Sequence, residues 1–293
     1  MSTASSPKGI ILAGGTGSRL HPLTRITNKH LLPIWDRPMI SYAVQAMVTS
    51  GIEEIMLVTG GTHAGEFLRL LGNGQDHGVA RLSYAYQEKA GGIAEALGLA
   101  ARFAGGSPVV VMLADNIFEH SIAPAVARFA AQPAGARVLL ARIDDEAHLR
   151  HLGVAEMDSG NRITRIVEKP VTPPTPYAVT GVYCYDSTVF DVIPTLVPSA
   201  RGELEITDVN NYYVQRGTLE HDVIDGFWGD AGGNRSAPTT TSTTSSARTA
   251  PTSTPSRTNA APGGRLPPGS KTPDRNRIAP YHEPHERTSG RRS

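Results

Sequence analysis

A single cysteine, Cys184, is present in 293 residues, which excludes an internal disulfide and a multi-cysteine zinc site. No apolar run approaches the roughly 20 residues a bilayer-spanning helix needs. The stretch from Met1 to Lys8 is polar and leads into only a short apolar run, so no signal peptide is expected. The ten histidines show no clustered ligand spacing, and each is expected at the surface. No repeat of fixed period occurs. Together these absences describe a soluble, cytoplasmic chain with no membrane partner.

Apolar residues also run out along the chain. From Gly233 to Ser293 the only large ones are Leu266, Ile278 and Tyr281, among Thr, Ser, Pro, Gly, Ala and Arg. Such a segment cannot bury enough surface to offset its ordering entropy, so residues 233–293 are expected to be a low-complexity, disordered tail and residues 1–232 a folded domain. Charge divides at the same place. The tail has 10 Lys and Arg against 3 Asp and Glu, while residues 1–232 have 18 against 24. The tail's cations are scattered, with no interleaved aromatics to stack on bases, so no nucleic-acid partner is expected.

Within residues 1–232, short apolar runs of strand length recur at 9–13, 54–59, 82–87, 109–113 and 138–143. Segments with helical spacing, 39–49, 64–71, 93–103 and 122–130, lie between them. Alternation of this kind requires crossover connections and an α/β fold with a mainly parallel sheet covered on both faces. After Gly153 the rhythm changes. Strands are expected at 154–157, 163–167 and 179–185, the first two joined by a hairpin at Asp158-Ser159-Gly160-Asn161. Helices at 189–196 and 206–215 and a last strand at 221–227 complete the pattern.

In open α/β sheets ligands sit beyond the carboxyl ends of the strands. The first strand runs into Gly14-Gly15-Thr16-Gly17-Ser18-Arg19-Leu20. Glycines let a backbone approach a phosphate chain, and Arg19 offers a planar fork to its oxygens. No Gly-Lys-Ser/Thr follows, which excludes a Walker loop, and Gly15-x-Gly17 lacks the third glycine of a dinucleotide fingerprint. The glycines alone also fit a tight turn. Asp115 follows the strand 109–113, where a carboxylate can hold a hard cation or cap a helix. Glu168 and Lys169 close another strand; because successive side chains alternate, they are not expected to pair on one face. Gln87 can make paired hydrogen bonds to a pyrimidine edge. Glu203, Glu205 and Asp208 are explained by helix capping and the helix dipole, outside any catalytic set.

The glycine loop followed by Asn28-Lys29-His30-Leu31-Leu32-Pro33-Ile34 resembles the signature of the sugar-phosphate nucleotidyltransferases, specifically the glucose-1-phosphate thymidylyltransferases. The stretches 115–118 (Asp-Asn-Ile-Phe), 167–170 (Val-Glu-Lys-Pro), 177–183 (Tyr-Ala-Val-Thr-Gly-Val-Tyr), 199–210 (Ser-Ala-Arg-Gly-Glu-Leu-Glu-Ile-Thr-Asp-Val-Asn) and 228–232 (Trp-Gly-Asp-Ala-Gly) agree in order. The resemblance spans about residues 8 to 232. It implies a Rossmann-like mixed, mainly parallel sheet flanked by helices, of the nucleotide-diphospho-sugar transferase type.

The implied reaction joins dTTP to glucose 1-phosphate with Mg2+, giving dTDP-glucose and pyrophosphate. UTP as the triphosphate, or an inactive regulatory homologue that binds nucleotide-sugar, are the alternatives. By resemblance Arg19 and Lys29 act on the triphosphate and Lys169 on the sugar phosphate. Gly14, Gly15, Gly17, Gln87 and Gly92 bind the nucleotide; Gly153, Glu168, Val179 and Gly181 line the sugar pocket with Lys169; Asp115 and Asp230 hold the metal. A homo-oligomer is a further expectation. Two features depart from the family pattern: Ala114 stands where glycine is usual, and the sequence after Gly232 replaces a terminal amphipathic helix.

Overall fold

Residues 8–13 read Lys-Gly-Ile-Ile-Leu-Ala, apolar on both sides of a strand. Ile10 and Leu12 pack into one core cluster and Ile11 and Ala13 into another, as the two-residue period of a strand buried on both faces requires. Val109 and Val111 against Val110 and Met112, and Val138 and Leu140 against Leu139, divide in the same way. One central sheet therefore separates two apolar layers.

The computed structural model describes residues 6–15, 17 and 20–231; Arg19 and the expected tail, 233–293, lie outside the described residues. Its elements begin with β1 (Lys8–Ala13), the short hairpin β2 (Pro33–Ile34) and β3 (Arg37–Pro38), α1 (Met39–Thr49), β4 (Glu54–Gly60), α2 (Ala64–Leu71) and β5 (Arg81–Gln87). Then come α3 (Ile93–Gly98), α4 (Ala101–Ala104), β6 (Val109–Leu113), β7 (Asn116–Phe118), α5 (Ala123–Ala131), β8 (Ala136–Arg142) and α6 (Glu146–Leu149). The last are β9 (Gly153–Met157), β10 (Ile163–Glu168), β11 (Tyr177–Tyr185), α7 (Val189–Val192), α8 (Ile206–Gln215), β12 (Leu219–Val223) and β13 (Trp228–Asp230).

The nine-stranded sheet runs β10-β9-β11-β6-β1-β4-β5, with β8 paired to β11 and β12. β6, β1, β4 and β5 are mutually parallel, and β11 joins this group antiparallel to β6. The fold is thus a mixed sheet with a parallel centre and helices on both faces. Among the described residues no helix is long and apolar enough to cross a membrane.

Three expected elements differ. The helix expected at 93–103 is split into α3 and α4, with Gly98, a poor helix former, at the break. The helix expected at 189–196 stops at Val192 and continues as a 3-10 turn, Ile193–Thr195, because Pro194 has no N–H to donate. The strand expected at 221–227 lies earlier, at β12, and ends at Val223, with a separate strand, β13, beginning at Trp228. Gly226, at φ 76°, turns the chain out of β12, and β13 then pairs antiparallel with β7, an element the periodicity does not reveal.

Candidate active site

At the carboxyl end of β1, Gly14 and Gly15 reach the wall of a cavity of about 270 Å³. The 3-10 turn Lys29–Leu31 faces them and is capped by Asn28, whose side-chain oxygen accepts from the His30 N–H at 3.0 Å. The same oxygen lies 2.8 Å from His30 Nδ1. His30 is thereby buried, contrary to the surface position expected for every histidine. Burial brings its imidazole down to about 3, with the Lys29 ammonium also lowering it and Asp115 opposing. Gly17 packs against the Lys29 stem, so the turn and the glycine loop together hold Lys29 beneath the cavity.

The Lys29 ammonium forms an ion pair with Asp115 Oδ2. Asp115 is buried, which by itself would raise its carboxyl, yet Lys29, His30 and the Asn116 amide hold it below the usual carboxylate range. It caps no helix; the chain continues into β7. Asn116 anchors the neighbourhood. Its Oδ1 accepts from the Gly181 N–H at 2.8 Å and from Trp228 Nε1 at 2.6 Å, and its Nδ2 donates to Asp115 Oδ1 at 3.1 Å. The ladder of β13 with β7 sets Asp230 opposite Asn116, and the Ala231 N–H donates to the Asp115 carbonyl at 2.9 Å. Two acids far apart in sequence thus stand on adjacent backbone. Both, with Glu168, raise the buried Tyr183 hydroxyl, after the larger effect of burial itself.

Across the cavity, Glu168 ends β10 and Lys169 follows at φ 45°. That left-handed turn overrides strand alternation: Lys169 Nζ lies 3.2 Å from Glu168 Oε1, correcting the expectation that these neighbours would not pair. The other Glu168 oxygen accepts from Thr207 Oγ1 at 2.7 Å. Thr207 and Asn211 are four apart and share one face of α8; Asn211 bonds both backbone groups of Ile166, docking the helix against β10. Gly153 lies beside Glu168 and Thr207. Val179 is buried on β11, where pairing with β8 shifts register.

Sequence reasoning passed over Arg201. Glu205 stands at the N-cap of α8, but its side chain makes no capping bond. Its carboxylate takes Arg201 Nη2 at 2.8 Å and Ser199 Oγ at 2.7 Å, and Arg201 lies 3.9 Å from Glu168. Arg201, Glu203 and Glu205 line the same cavity as Lys29, Gln87, Asp115, Glu168 and Lys169. The signal was the length of the matched stretch at 199–210, whose polar residues exceed what capping needs.

On the remaining wall, Gln87 ends β5 and Gly92 precedes α3. Gly92 has φ 101°, and any Cβ there would collide with the Leu204 backbone, so only glycine allows this close approach. The Leu204 N–H donates to the Gly91 carbonyl at 2.8 Å, and the Ala94 N–H donates to the Leu204 carbonyl at 3.1 Å. These bonds fasten the 91–94 segment to the loop that carries Arg201.

The donor set suits a hard divalent cation. Asp115 and Asp230 offer carboxylate oxygens, and a cationic group, the Lys29 ammonium, already sits on one of them. Among the described residues no cluster of three or more His, Cys, Asp or Glu could hold a metal ion.

Residues 8–245 match the family model described as nucleotidyl transferase. The chain belongs to the nucleotidyl transferase family. Among relatives of this nucleotidyl transferase, a glucose-1-phosphate thymidylyltransferase from Actinoplanes sp. is 47% identical over 214 residues, covering 72% of this chain and 69% of the relative. A Bacillus anthracis crystal structure assigned to the same enzyme, in complex with sucrose, superposes with a TM-score of 0.72 at 52% identity, covering 77% of this chain and 89% of that one. UDP-glucose pyrophosphorylase complexed with UDP-glucose shares the fold, with a TM-score of 0.68 at 24% identity over 78% and 94% of the two chains.

Proposed function

We propose that this nucleotidyl transferase joins dTTP to glucose 1-phosphate, releasing pyrophosphate and forming dTDP-glucose, with magnesium held by Asp115 and Asp230. The observation that carries the reading is the single cavity where glycine backbone, Lys29 and Asp115 on one side meet Glu168, Lys169 and Arg201 on the other. Relatives named for this reaction support the choice of substrates.

The phosphate of glucose 1-phosphate is a dianion near neutral pH, so its oxygen attacks the α-phosphorus of dTTP without a general base. The bond from the α-phosphorus to the β-bridging oxygen breaks, and pyrophosphate leaves. The obstacle is repulsion between anions, which positioning and positive charge overcome. Lys169 and Arg201 hold the sugar phosphate, and Glu168 accepts sugar hydroxyls. Lys29 and Arg19 take the triphosphate and the departing pyrophosphate. Bound magnesium supplies charge neutralisation at the phosphates. A cytoplasmic homo-oligomer is part of the same reading, and residues 233–293 are proposed to stand outside the catalytic domain.

The test incubates purified protein with each nucleoside triphosphate, glucose 1-phosphate and magnesium, and measures pyrophosphate. Release with dTTP ahead of UTP is expected, and Asp115→Asn should lower turnover by about 10³-fold, the scale of a lost electrostatic group. Release with UTP alone would reassign the substrate. No release with any triphosphate would favour a binding protein.

A further inference from the structure

The proposed base-reading residue, Gln87, is itself held by a carboxylate that none of the motifs includes. Gln87 Nε2 donates to Glu95 Oε1 at 3.1 Å and to the Gly92 carbonyl at 3.3 Å. Both partners are acceptors, since a carboxylate oxygen and a backbone carbonyl have no proton to give. Only the NH2 end of the amide can face them. The amide oxygen must therefore point the other way, and it lies against the open face of Gly14 on the cavity wall. No hydrogen bond from the described residues reaches that oxygen.

The position of Glu95 is specific. It sits on the first turn of α3, with its carboxylate in the space a Cβ at Gly91 would fill. Any side chain at 91 would expel it. The Leu204 bonds described above hold the Gly91–Gly92 backbone, so the pocket for the carboxylate is built by tertiary contacts.

We infer that Glu95 is a positioning residue that sets the Gln87 amide with its oxygen toward the nucleotide, making the site select a pyrimidine that carries an N3 proton. Thymine and uracil present N3–H as a donor and meet that oxygen favourably. Cytosine presents an unprotonated N3, and two acceptors face each other. With Glu95 removed, only the longer bond to the Gly92 carbonyl still holds the NH2 end, and the preference for one orientation of the amide weakens. The inference rests on the proposed role of Gln87 at the base.

The test measures kcat and KM for dTTP and dCTP, at saturating glucose 1-phosphate, in Glu95→Leu, Glu95→Asp, Glu95→Gln and Gln87→Leu. Glu95→Leu is expected to raise the KM for dTTP about tenfold with kcat held within about twofold, and to narrow the dTTP-to-dCTP ratio of kcat/KM by about tenfold, the worth of one hydrogen bond. Glu95→Asp, too short to reach the amide, should behave alike and carries the test should the leucine variant fail to fold. Glu95→Gln keeps an acceptor at the same reach and should restore most of the discrimination. An unchanged ratio in the leucine and aspartate variants, with a narrowed ratio in Gln87→Leu, overturns the role of Glu95 while leaving Gln87 as base reader. An unchanged ratio in Gln87→Leu overturns the reading of Gln87 itself. A fall in kcat at constant KM in the Glu95 variants marks a merely structural residue and also overturns the inference.

Discussion

The two walls of the cavity hold their charges in different ways. On the wall proposed to take the nucleotide, Lys29 and Asp115 are sealed in, with side chains 13% and 12% exposed. On the wall proposed to take the sugar phosphate, Lys169, Glu168 and Arg201 are 35%, 31% and 46% exposed and share several partners. A buried pair is hard to break because its survivor stays desolvated. A half-exposed network rearranges cheaply, since water screens each member. The proposed nucleotide wall is thus preorganised, whereas the proposed sugar wall can exchange internal ion pairs for contacts with a ligand's anionic and hydroxyl groups.

That contrast breaks most directly at Lys29. Lys29→Met should lower the free energy of unfolding in urea by about 3–5 kcal/mol, the cost of stranding a buried carboxylate. Lys29→Met combined with Asp115→Asn should recover much of the loss. Additive losses would mean that the pair is not coupled.

A smaller effect is expected from His30 beneath the same wall. Its folded value of about 3 lies below the ordinary 6.5, so as pH falls below 6.5 the unfolded chain takes up a proton that the native one refuses. This stabilisation is complete above pH 6.5 and is lost as pH falls toward 3, by up to about 1.4 kcal/mol per pH unit. Urea titrations at pH 7 and 5.5 should show the loss, and His30→Asn should flatten it.

On the sugar wall, Lys169→Met and Arg201→Met should each change stability by less than about 1 kcal/mol while raising the KM for glucose 1-phosphate. A stability loss as large as that of Lys29→Met would erase the distinction between the walls. The least effect is expected at Cys184, away from both. Burial pushes its thiol up to about 12, so the native protein should resist alkylation at pH 8, and urea should expose one reactive thiol.

The site was legible where local pattern and chemistry coincide. The apolar run 8–13 ending in glycines marks a strand entering a ligand crevice, and the Asp158–Asn161 turn marks the β9–β10 hairpin. β7 and β13 were not legible. Each has three residues, and what establishes them is pairing across more than a hundred residues plus the buried bond from Trp228 to Asn116. Lys169 misled for a related reason. Strand alternation holds only while φ stays extended, and its φ of 45° turns the side chain back onto Glu168. His30 looked like one more polar loop residue until its place beneath the glycine loop buried it.

By itself the sequence determined the alternating α/β order, the glycine loop after the first strand and the chemical types needed to handle a triphosphate and a sugar phosphate, because these reside in short-range periodicity and local composition. Only the tertiary structure decided which charges are sealed and which are free to exchange, that Arg201 and Glu205 join the site, and that Glu95 orients Gln87. Burial and hydrogen-bond direction arise from contacts between distant segments, and no local pattern encodes them.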